Sequence, residues 1–359
     1  MKITTVIGAR PQFIKAATLS RVIRNRNDIS EVIIHTGQHY DSNMSDIFFN
    51  ELDIPCPDYN LAIGGGTHGQ NTGRMIEKIE ELLLTEKPDW VLVYGDTDST
   101  LAGTIAAVKL HIPVVHVEAG LRSFDRRMPE EINRVMTDHG SDLLFCPTET
   151  AVKNLLAEGI AATRIQRVGD VMYDAVLYYS KSAETQSNIL NILQLSKQKY
   201  ILATVHRQEN TDDTQRLAAI FKGLASSPLP VILPLHPRTR KKLQENNISL
   251  VKPICPIDPV GYLDMVLLEK NAAKIVTDSG GVQKEAFFHS VPCITLRDQT
   301  EWVELVDHGY NKLVGCNESE IEDALNASSE ISSWENGLYG DGNAAEKIIN
   351  NLMSFRRNS

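Results

Sequence analysis

The chain has 359 residues, of which 42% are hydrophobic and 23% are charged, and a globular chain of this length usually forms two domains. Its formal net charge of -10 argues against nonspecific binding to nucleic acid, whose phosphates it would repel. No apolar run approaches the roughly 18 residues of a membrane span, and the five cysteines form no CxxC pair, so we expect a cytoplasmic protein whose thiols are reduced and mostly buried.

Five short apolar runs in the first half of the chain predict strands. In chain order they are ITTVI, EVIIHT, WVLVYG, PVVHVE and LLFCP. Between them, apolar residues recur at helical spacing, as in Met75, Ile79 and Leu83, which predicts helices with one buried face. Nearly continuous apolar strands that alternate with helices indicate a parallel sheet covered on both sides.

The second half repeats this alternation with YILATV, VILPL, KIVTD and CITL. We therefore predict an α/β protein with two doubly wound, Rossmann-like domains, residues 1–169 and 170–341, and an active site in the cleft between them. The region from Gly169 to Lys199, which carries the polar run SKSAETQSN, is the best linker candidate. Residues 342–359 should form a final helix that packs back on the N-terminal domain.

The first strand is followed by GARPQFIK, a glycine turn that opens a helix. The N-terminus of this helix, with its unbonded N–H groups and its dipole, favours an anion. Arg10 and Lys15 add full positive charge there. The P-loop pattern of nucleoside triphosphate sites is absent. The other interpretation is structural, with a turn at Gly8 and a solvated Arg10.

Two glycine-rich segments have different meanings. GGGTHG, residues 64–69, matches the dinucleotide pattern but does not directly follow a long strand, so we interpret it as a loop that covers a site. DSGGVQKEA follows the apolar strand KIVTD, where Ser279 can cap a helix and Gly280 and Gly281 let a phosphate approach the backbone. Glu285 lies further along this helix and could accept hydrogen bonds from a ribose, so the segment indicates a nucleoside diphosphate.

Three carboxylates lie at strand-to-helix junctions. Asp96 and Glu118 end strands, and Glu130 begins a helix, so the fold should gather them on one rim of the first domain. Arg122 or Arg134 could pair with Glu118 in a purely structural role. If several carboxylates share one cleft, at least one should hold a proton near neutral pH, which suits acid and base catalysis.

Two histidines end successive strands of the second domain. His206 stands in TVHRQEN and His236 in LPLHPRTR. A metal site between them is conceivable, but no carboxylate or cysteine recurs at ligand spacing. We therefore expect no metal and no cofactor.

Taken together, these residues resemble the non-hydrolysing UDP-N-acetylglucosamine 2-epimerases. The motifs that carry the resemblance are, in chain order, GARPQFIK, HTGQH, YGDTDST, HVEAGLRS, PEEINR, TVHRQEN, DSGGVQKEA and RDQTEWVE. The resemblance implies the glycosyltransferase-B architecture, a UDP-sugar substrate and a homodimer. It implies that the catalytic residues are Lys15, Asp96, Glu118, Glu130 and His206. The implied substrate-binding residues are Arg10, Lys15, Arg134, His206, His236, Ser279, Gly280, Gly281, Glu285 and Arg297.

Within this family, GGTHGQ, RSFDRRMPEE, LPLHPRTR and TEWVELV look most similar to the branch acting on UDP-2,3-diacetamido-2,3-dideoxy-D-glucuronate, a precursor of surface polysaccharide. In this chain the loop between Glu118 and Glu130 is shorter than is typical of the family. Arg126 or Arg127 in this loop could contact the 6-carboxylate of the sugar. The alternative substrate is UDP-N-acetylglucosamine, giving UDP-N-acetylmannosamine. A hydrolysing epimerase or a glycosyltransferase of the same architecture is a further alternative.

Overall fold

The computed structural model describes residues 1–37, 56–328, 331, 333–335 and 337–355. The chain divides into two compact units, Met1–Leu177 with Glu335–Ser359, and Tyr178–Trp334. Each unit contains one parallel sheet flanked by helices. This confirms the predicted α/β class with two Rossmann-like domains.

The first unit contains a sheet of seven described strands, in which all neighbouring strands are parallel. The strands are β1 (Lys2–Ile7), β2 (Ser30–His35), β3 (Tyr59–Asn60), β4 (Trp90–Tyr94), β5 (Val114–Val117), β6 (Leu143–Cys146) and β7 (Ile165–Arg167). Their order is β3-β2-β1-β4-β5-β6-β7. The winding direction reverses between β1 and β4, and ligands of such sheets bind beside the carboxyl ends of the strands at this switch point.

The helices of the described residues in the first part of the chain are α1 (Arg10–Arg24), α2 (His68–Glu86), α3 (Asp98–Lys109), α4 (Pro129–Gly140), α5 (Glu149–Ala157) and α6 (Val171–Gln186). A 3-10 helix spans Ala162–Arg164. The predicted apolar stripe on α2 is confirmed, because Met75, Ile79 and Leu83 are fully buried in the core. No helix in the described part of the chain is long and apolar enough to cross a membrane.

The second unit contains a six-stranded parallel sheet. Its strands are β8 (Ile201–Thr204), β9 (Val231–Pro234), β10 (Ile254–Ile257), β11 (Lys274–Thr277), β12 (Cys293–Thr295) and β13 (Asn311–Leu313). They lie in the order β10-β9-β8-β11-β12-β13, so the switch point falls between β8 and β11. The helices are α7 (Ile189–Ile192), α8 (Gln208–Thr211), α9 (Thr214–Ala225), α10 (Pro237–Glu245), α11 (Tyr262–Asn271), α12 (Gly280–Phe288), α13 (Val303–Asp307) and α14 (Glu318–Asn326).

The division between the units falls within α6, after Leu177, and not at Gly169. The region expected to be a linker is mostly helical, because its polar run forms the end of a helix that has one buried side. The last helix, α15 (Ala344–Ser354), belongs to the first unit and contacts α1. Asp174 of α6 accepts the N–H groups of Ala344 and Ala345 at 3.1 and 2.8 Å, which caps α15.

The cysteines are less buried than expected. Cys146 and Cys293 are buried, Cys316 is partly buried, and Cys56 and Cys255 are exposed. The expectation of mostly buried thiols is therefore wrong for Cys56 and for Cys255, which lies in β10.

Candidate active site

Lys15 and Glu118 form a buried ion pair in the first unit. Lys15 lies in the second turn of α1, and its Nζ is 2.5 Å from Oε1 of Glu118, with 9% and 8% of the two side chains exposed. Glu118 directly follows β5 and has a φ of 74°, a left-handed conformation that costs a non-glycine residue about 1–2 kcal/mol. Such strain concentrates at functional sites. Glu118 pairs with Lys15, and the ion pairs of Arg122 and Arg134 include Asp138 and Glu131 respectively.

Asp96 lies beyond the carboxyl end of β4, the strand next to β5 in the sheet. Nη2 of Arg134 forms a close ion pair with its carboxylate, whose side chain remains 29% exposed. Asn133 Nδ2 donates to the backbone carbonyl oxygen of Asp96 at 3.0 Å. Because both partners come from α4, this helix fixes the position of Asp96 while leaving its side chain accessible.

Gly95 connects Asp96 to the buried ion pair. Its N–H donates to the carbonyl oxygen of Val117 at 3.0 Å, and its φ is 62°. A Cβ at this position would lie 3.2 Å from Nζ of Lys15 and 3.6 Å from Oε1 of Glu118. A side chain at Gly95 would therefore touch both charged groups, so Asp96 follows a turn that lies beside the ion pair, at the carboxyl ends of β4 and β5.

Glu130 and Glu131 begin α4 and have different surroundings. Glu130 is exposed. Glu131 is 1% exposed, accepts the N–H groups of Ser123 and Phe124 at 2.9 and 3.0 Å, and pairs with Arg134 at 2.8 Å. Glu131 thus holds the loop between β5 and α4, and Glu130 is accessible to a ligand. The sequence analysis missed Glu131, although its spacing of three residues from Arg134 is typical of an ion pair on one helix face.

The N-terminus of α1 differs from the predicted anion site. Gln12 Oε1 accepts the N–H groups of Gly8 and Ala9 at 2.8 and 3.0 Å, and its Nε2 donates to the carbonyl oxygen of Tyr94 at 2.9 Å. These two N–H groups are therefore not open to an anion, because the glutamine caps them. Arg10 begins α1, but its side chain lies outside the described residues, as do the last two residues of the HTGQH motif.

Gly8 is required because the side chains of Thr36 and Ser99 lie too close for a Cβ, and not because the chain turns there. A Cβ on Gly8 would lie 2.1 Å from the hydroxyl oxygens of both Thr36 and Ser99, which are 2.7 Å apart. Any side chain would separate β1 from the first turn of α3. The first loop of the unit is thereby held against the loop that carries Asp96.

In the second unit, Asp278 joins the carboxyl ends of β8 and β11. It is fully buried and accepts the N–H groups of His206 and Arg207 at 3.0 and 2.9 Å. Nδ1 of His206 lies 3.5 Å from the same carboxylate, with 40% of the His206 side chain exposed. The ring centroid of His236, which follows β9, is 5.8 Å from that of His206. Among the described residues no group of three His, Cys, Asp or Glu is arranged to hold a metal ion.

The N-terminus of α12 is accessible at the switch point of the second sheet. Ser279 caps the helix with its side chain, and a Cβ on Gly281 would meet only the hydroxyl of Ser279, at 3.8 Å. A Cβ on Gly280 would lie 2.4 Å from Oε1 of Glu301. Glu301 pairs with Arg297, which is 1% exposed, at 2.7 Å. A methyl group on Gly280 would therefore displace Glu301 from Arg297.

Glu285 lies on the second turn of α12 and is 6% exposed, so it is not a surface glutamate. The hydroxyl of Tyr262 donates to its Oε1 at 3.2 Å. Burial, and then the adjacent Glu285 charge, raise the pKa of Tyr262 well above its usual value. Tyr262 therefore remains a hydrogen-bond donor that orients the Glu285 carboxylate.

The GGGTHG segment leads into α2, where Thr67 and Gln70 form a capping box. Nδ1 of His68 lies 2.9 Å from Oδ2 of Asp98, and Asp98 also accepts from Asn133 at 3.1 Å. The segment is thus attached to the loop that carries Asp96. Its role as a cover for the site remains a prediction.

A model of the UDP-N-acetylglucosamine 2-epimerase family matches residues 21–353 of this chain. A UDP-N-acetylglucosamine 2-epimerase homolog of Methanococcus maripaludis is 56% identical over 360 residues, which cover 99% of this chain and 100% of the relative. The UDP-2,3-diacetamido-2,3-dideoxy-D-glucuronate 2-epimerase of Pseudomonas aeruginosa is 53% identical, with 99% and 100% coverage.

A solved structure is similar over the same extent. The Methanocaldococcus jannaschii UDP-GlcNAc 2-epimerase, crystallised in complex with UDP-GlcNAc and UDP, matches with a TM-score of 0.91 and 48% sequence identity. The match covers 99% of this chain and 100% of the crystallised one. The similarity therefore spans both units.

Proposed function

Because this chain belongs to the UDP-N-acetylglucosamine 2-epimerase family, we propose that it inverts carbon 2 of UDP-2,3-diacetamido-2,3-dideoxy-D-glucuronate to give the manno epimer. That the chain is a non-hydrolysing UDP-sugar 2-epimerase, an isomerase, follows from the family. The choice of sugar depends on one observation, the 53% identity to the Pseudomonas aeruginosa relative that is named for this substrate. The product would supply a surface polysaccharide such as an O-antigen or a capsule.

The chemistry explains why several carboxylates are needed. The hydrogen on carbon 2 is not next to a carbonyl group, so simple deprotonation would be too slow. In the proposed route a carboxylate takes this proton, the C–H electrons form the carbon 1 to carbon 2 double bond, and the bond from carbon 1 to the diphosphate oxygen breaks. The 2-acetamidoglucal and UDP stay bound, and protonation from the other face with return of UDP gives the epimer. Proton-transfer groups are therefore needed on both faces.

The first unit is assigned to the sugar. Asp96 and Glu118 are each held by a fixed cation, Arg134 and Lys15 respectively. Glu130 is the third carboxylate, and its exposure leaves it able to turn toward a bound sugar. Having carboxylates from three different loops allows one to act on each face of the ring.

The second unit is assigned to UDP. His206 and the N-terminus of α12, with Ser279 and Gly280, supply donors where negative charge develops on the leaving diphosphate, each worth roughly 3 kcal/mol. Glu285 accepts the ribose hydroxyls. Arg10 adds a positive charge from the first unit. The remaining binding residues in this assignment are His236, Gly281 and Arg297.

The loop between β5 and α4 offers one arginine for the 6-carboxylate of a uronic acid. Asp125 pairs with Arg127 through two hydrogen bonds of 2.8 Å, so Arg127 is already neutralised. Arg126 is exposed, and within the described residues no carboxylate pairs with it. We therefore assign the 6-carboxylate contact to Arg126.

Arg126→Ala tests this assignment, and Arg127→Ala is the matched control. Loss of a charge-assisted contact worth about 1.5–3 kcal/mol should lower kcat/KM for the uronate by roughly 10- to 100-fold and leave UDP-N-acetylglucosamine turnover unchanged. Epimerisation of each UDP-sugar by the wild type and both variants is followed by proton NMR. Equal losses for the two variants, or equal losses for the two sugars, would remove Arg126 from substrate selection.

The second candidate substrate is UDP-N-acetylglucosamine, which is favoured by the 56% identity to the Methanococcus maripaludis relative named as a homolog of its epimerase and by the 48% identity to the Methanocaldococcus jannaschii enzyme crystallised with it. The same assay separates the candidates. If the wild type converts UDP-N-acetylglucosamine with a higher kcat/KM than the uronate, the second candidate is correct.

We also propose that the protein is a homodimer. Helices α2, α3 and α4 pack side by side, and each exposes a large apolar side chain, Leu84 at 57%, Val108 at 40% and Met136 at 49%. Sedimentation velocity of the wild type and of Leu84→Glu tests the assembly. A wild type that sediments as a monomer at micromolar concentration would contradict it.

A further inference from the structure

His116 is buried in the middle of the first unit and contacts two acceptors. It lies in β5, two residues before Glu118, and is 0% exposed. Its Nδ1 is 2.7 Å from Oδ1 of Asp138, and its Nε2 is 2.7 Å from the carbonyl oxygen of Gly95. A carbonyl oxygen can only accept, and so can an ionised carboxylate. Both ring nitrogens must therefore donate if Asp138 is ionised.

Asp138 is ionised for a physical reason. It lies in α4 and is 0% exposed, and burial alone would raise its pKa. Arg122, whose Nη1 donates to Oδ2 at 2.7 Å, and the ring of His116 at Oδ1 together outweigh burial, so the pKa of Asp138 is lowered. With an ionised carboxylate on one side and a carbonyl oxygen on the other, both ring nitrogens of His116 are placed as donors.

The second oxygen of Asp138 holds a different loop. Oδ2 accepts the N–H of Gly120 at 3.2 Å and Nη1 of Arg122 at 2.7 Å. Arg122 extends the network outward, because its Nε and Nη2 both bind Glu158 at 2.7 Å. One carboxylate thus fixes the loop after β4, through His116 and Gly95, and the loop after β5, through Gly120 and Arg122.

These two loops carry Asp96 and Glu118, and the backbone is strained at Glu118. Glu118 has a φ of 74°, and the flanking turns use Gly95 at 62° and Gly120 at 81°. A left-handed backbone at Glu118 persists only when the surrounding structure determines it. Two sets of hydrogen bonds hold the backbone of Glu118 in this conformation. Asp138 binds the residues around it, and the carbonyl oxygen of Phe145 accepts the N–H of Glu118 at 3.1 Å.

We propose that Asp138 is a positioning residue of the epimerase, acting with doubly protonated His116 to set the distance between the carboxylates of Asp96 and Glu118. Asp138 does not touch the substrate. The proposal rests on the proposed function, because it assumes that these two carboxylates carry the proton transfers. Its structural part, the doubly protonated His116, is independent of any substrate.

The experiment compares Asp138→Asn with wild type and with Asp142→Asn. Asp142 is likewise bonded to β5, where it accepts the backbone N–H of Val114 at 2.9 Å. Because this bond lies at the opposite end of the strand from Glu118, Asp142→Asn controls for loss of a carboxylate bonded to β5. Three quantities are measured, namely UDP affinity by calorimetry, exchange of the carbon 2 hydrogen in heavy water with each UDP-sugar, and the protonation of His116 by nitrogen-15 NMR.

For Asp138→Asn we expect UDP affinity within twofold of wild type, KM within threefold, and a kcat for exchange at least 30-fold lower. The nitrogen-15 spectrum of wild-type His116 should show two protonated nitrogens, and that of the variant a neutral tautomer. Asp142→Asn should match wild type in exchange and in the His116 signal. If Asp138→Asn does not fold, His116→Gln keeps the Asp138 to Arg122 pair and should fold with at least tenfold slower exchange.

Two results would overturn the proposal. One is a neutral His116 in the wild type. The other is exchange within threefold of wild type in a folded Asp138→Asn or His116→Gln variant. Failure of the proposed function looks different, since the wild type would then show no exchange with either UDP-sugar while His116 still carried two protons.

Discussion

The ion pair between Lys15 and Glu118 makes a quantitative prediction about stability. The two atoms are 2.5 Å apart and the side chains are only 9% and 8% exposed, so each charge has lost most of its water. Removing one partner of such a pair leaves a buried charge without compensation and costs about 3–5 kcal/mol. We therefore expect Lys15→Met to lower the free energy of unfolding by about 4 kcal/mol.

A double variant separates the free energy of the Lys15–Glu118 interaction from the cost of losing each side chain. Glu118→Gln leaves the ammonium of Lys15, whose flexible stem can reach water, so its cost should be nearer about 2 kcal/mol. Lys15→Met with Glu118→Gln leaves no buried charge, and its cost should be at least about 1 kcal/mol smaller than the sum of the single costs. Lys78→Met is the control, because it breaks an exposed pair with Glu81 and should cost less than about 0.5 kcal/mol.

Urea unfolding followed by far-UV circular dichroism measures these values. The same four proteins are then assayed for carbon 2 exchange in heavy water, which all variants except Lys78→Met should lose. A cost of Lys15→Met below 1 kcal/mol, or strict additivity in the double variant, would refute the argument that the pair is desolvated. Retained exchange in Glu118→Gln would make the pair purely structural.

Three further predictions concern other parts of the chain. Nζ of Lys274 donates to three carbonyl oxygens at the end of α14, at 2.7–2.9 Å. Lys274→Met should therefore lower the free energy of unfolding in urea by about 2–3 kcal/mol. A cost below about 1 kcal/mol would contradict a stabilising role of Lys274 as a cap of α14. Burial raises the pKa of Asp174 to about 6, so the folded state holds this proton more tightly than the unfolded state. Stability should therefore fall by up to about 3 kcal/mol as the pH rises from about 4 to 6; Asp174→Asn should lack this fall in thermal melts, and an identical pH profile in the two proteins would refute the reasoning. Gly95→Ala should lower the free energy of unfolding by about 1–2 kcal/mol because of its positive φ, and it should also slow turnover. Gly159→Ala is the control, because Gly159 has a φ of 81° and open space around its Cβ position; it should cost the same stability without loss of turnover. Equal turnover in the two variants would show that contact with the ion pair at Gly95 does not matter.

The apolar pattern of the chain predicted the fold well. Continuous β-branched runs specify buried parallel strands, and the periodic stripe of α2 specifies its buried face, because these signals are local. The same pattern located two of the carboxylates, since Asp96 and Glu118 lie within two residues of the ends of apolar strands. It did not locate the division between the units, because helix α6 continues through it.

The partners of the charged residues could not be derived in the same way. Lys15 and Glu118 are 103 residues apart, and only the order of the strands brings α1 beside the end of β5. Spacing alone likewise did not distinguish exposed Glu130 from buried Glu131. Gln12 was overlooked because a glutamine in the first turn of a helix is as compatible with solvent as with the two N–H groups that it binds.

Incorporation of deuterium at carbon 2 is the most direct test of the proposed reaction. The purified protein is incubated in heavy water with UDP-2,3-diacetamido-2,3-dideoxy-D-glucuronate and, separately, with UDP-N-acetylglucosamine, and the sugars are followed by proton NMR. We predict loss of the carbon 2 proton signal and an equilibrium of two epimers, with the uronate reacting faster. Release of UDP and free sugar, or a carbon 2 proton that persists with both substrates, would contradict it.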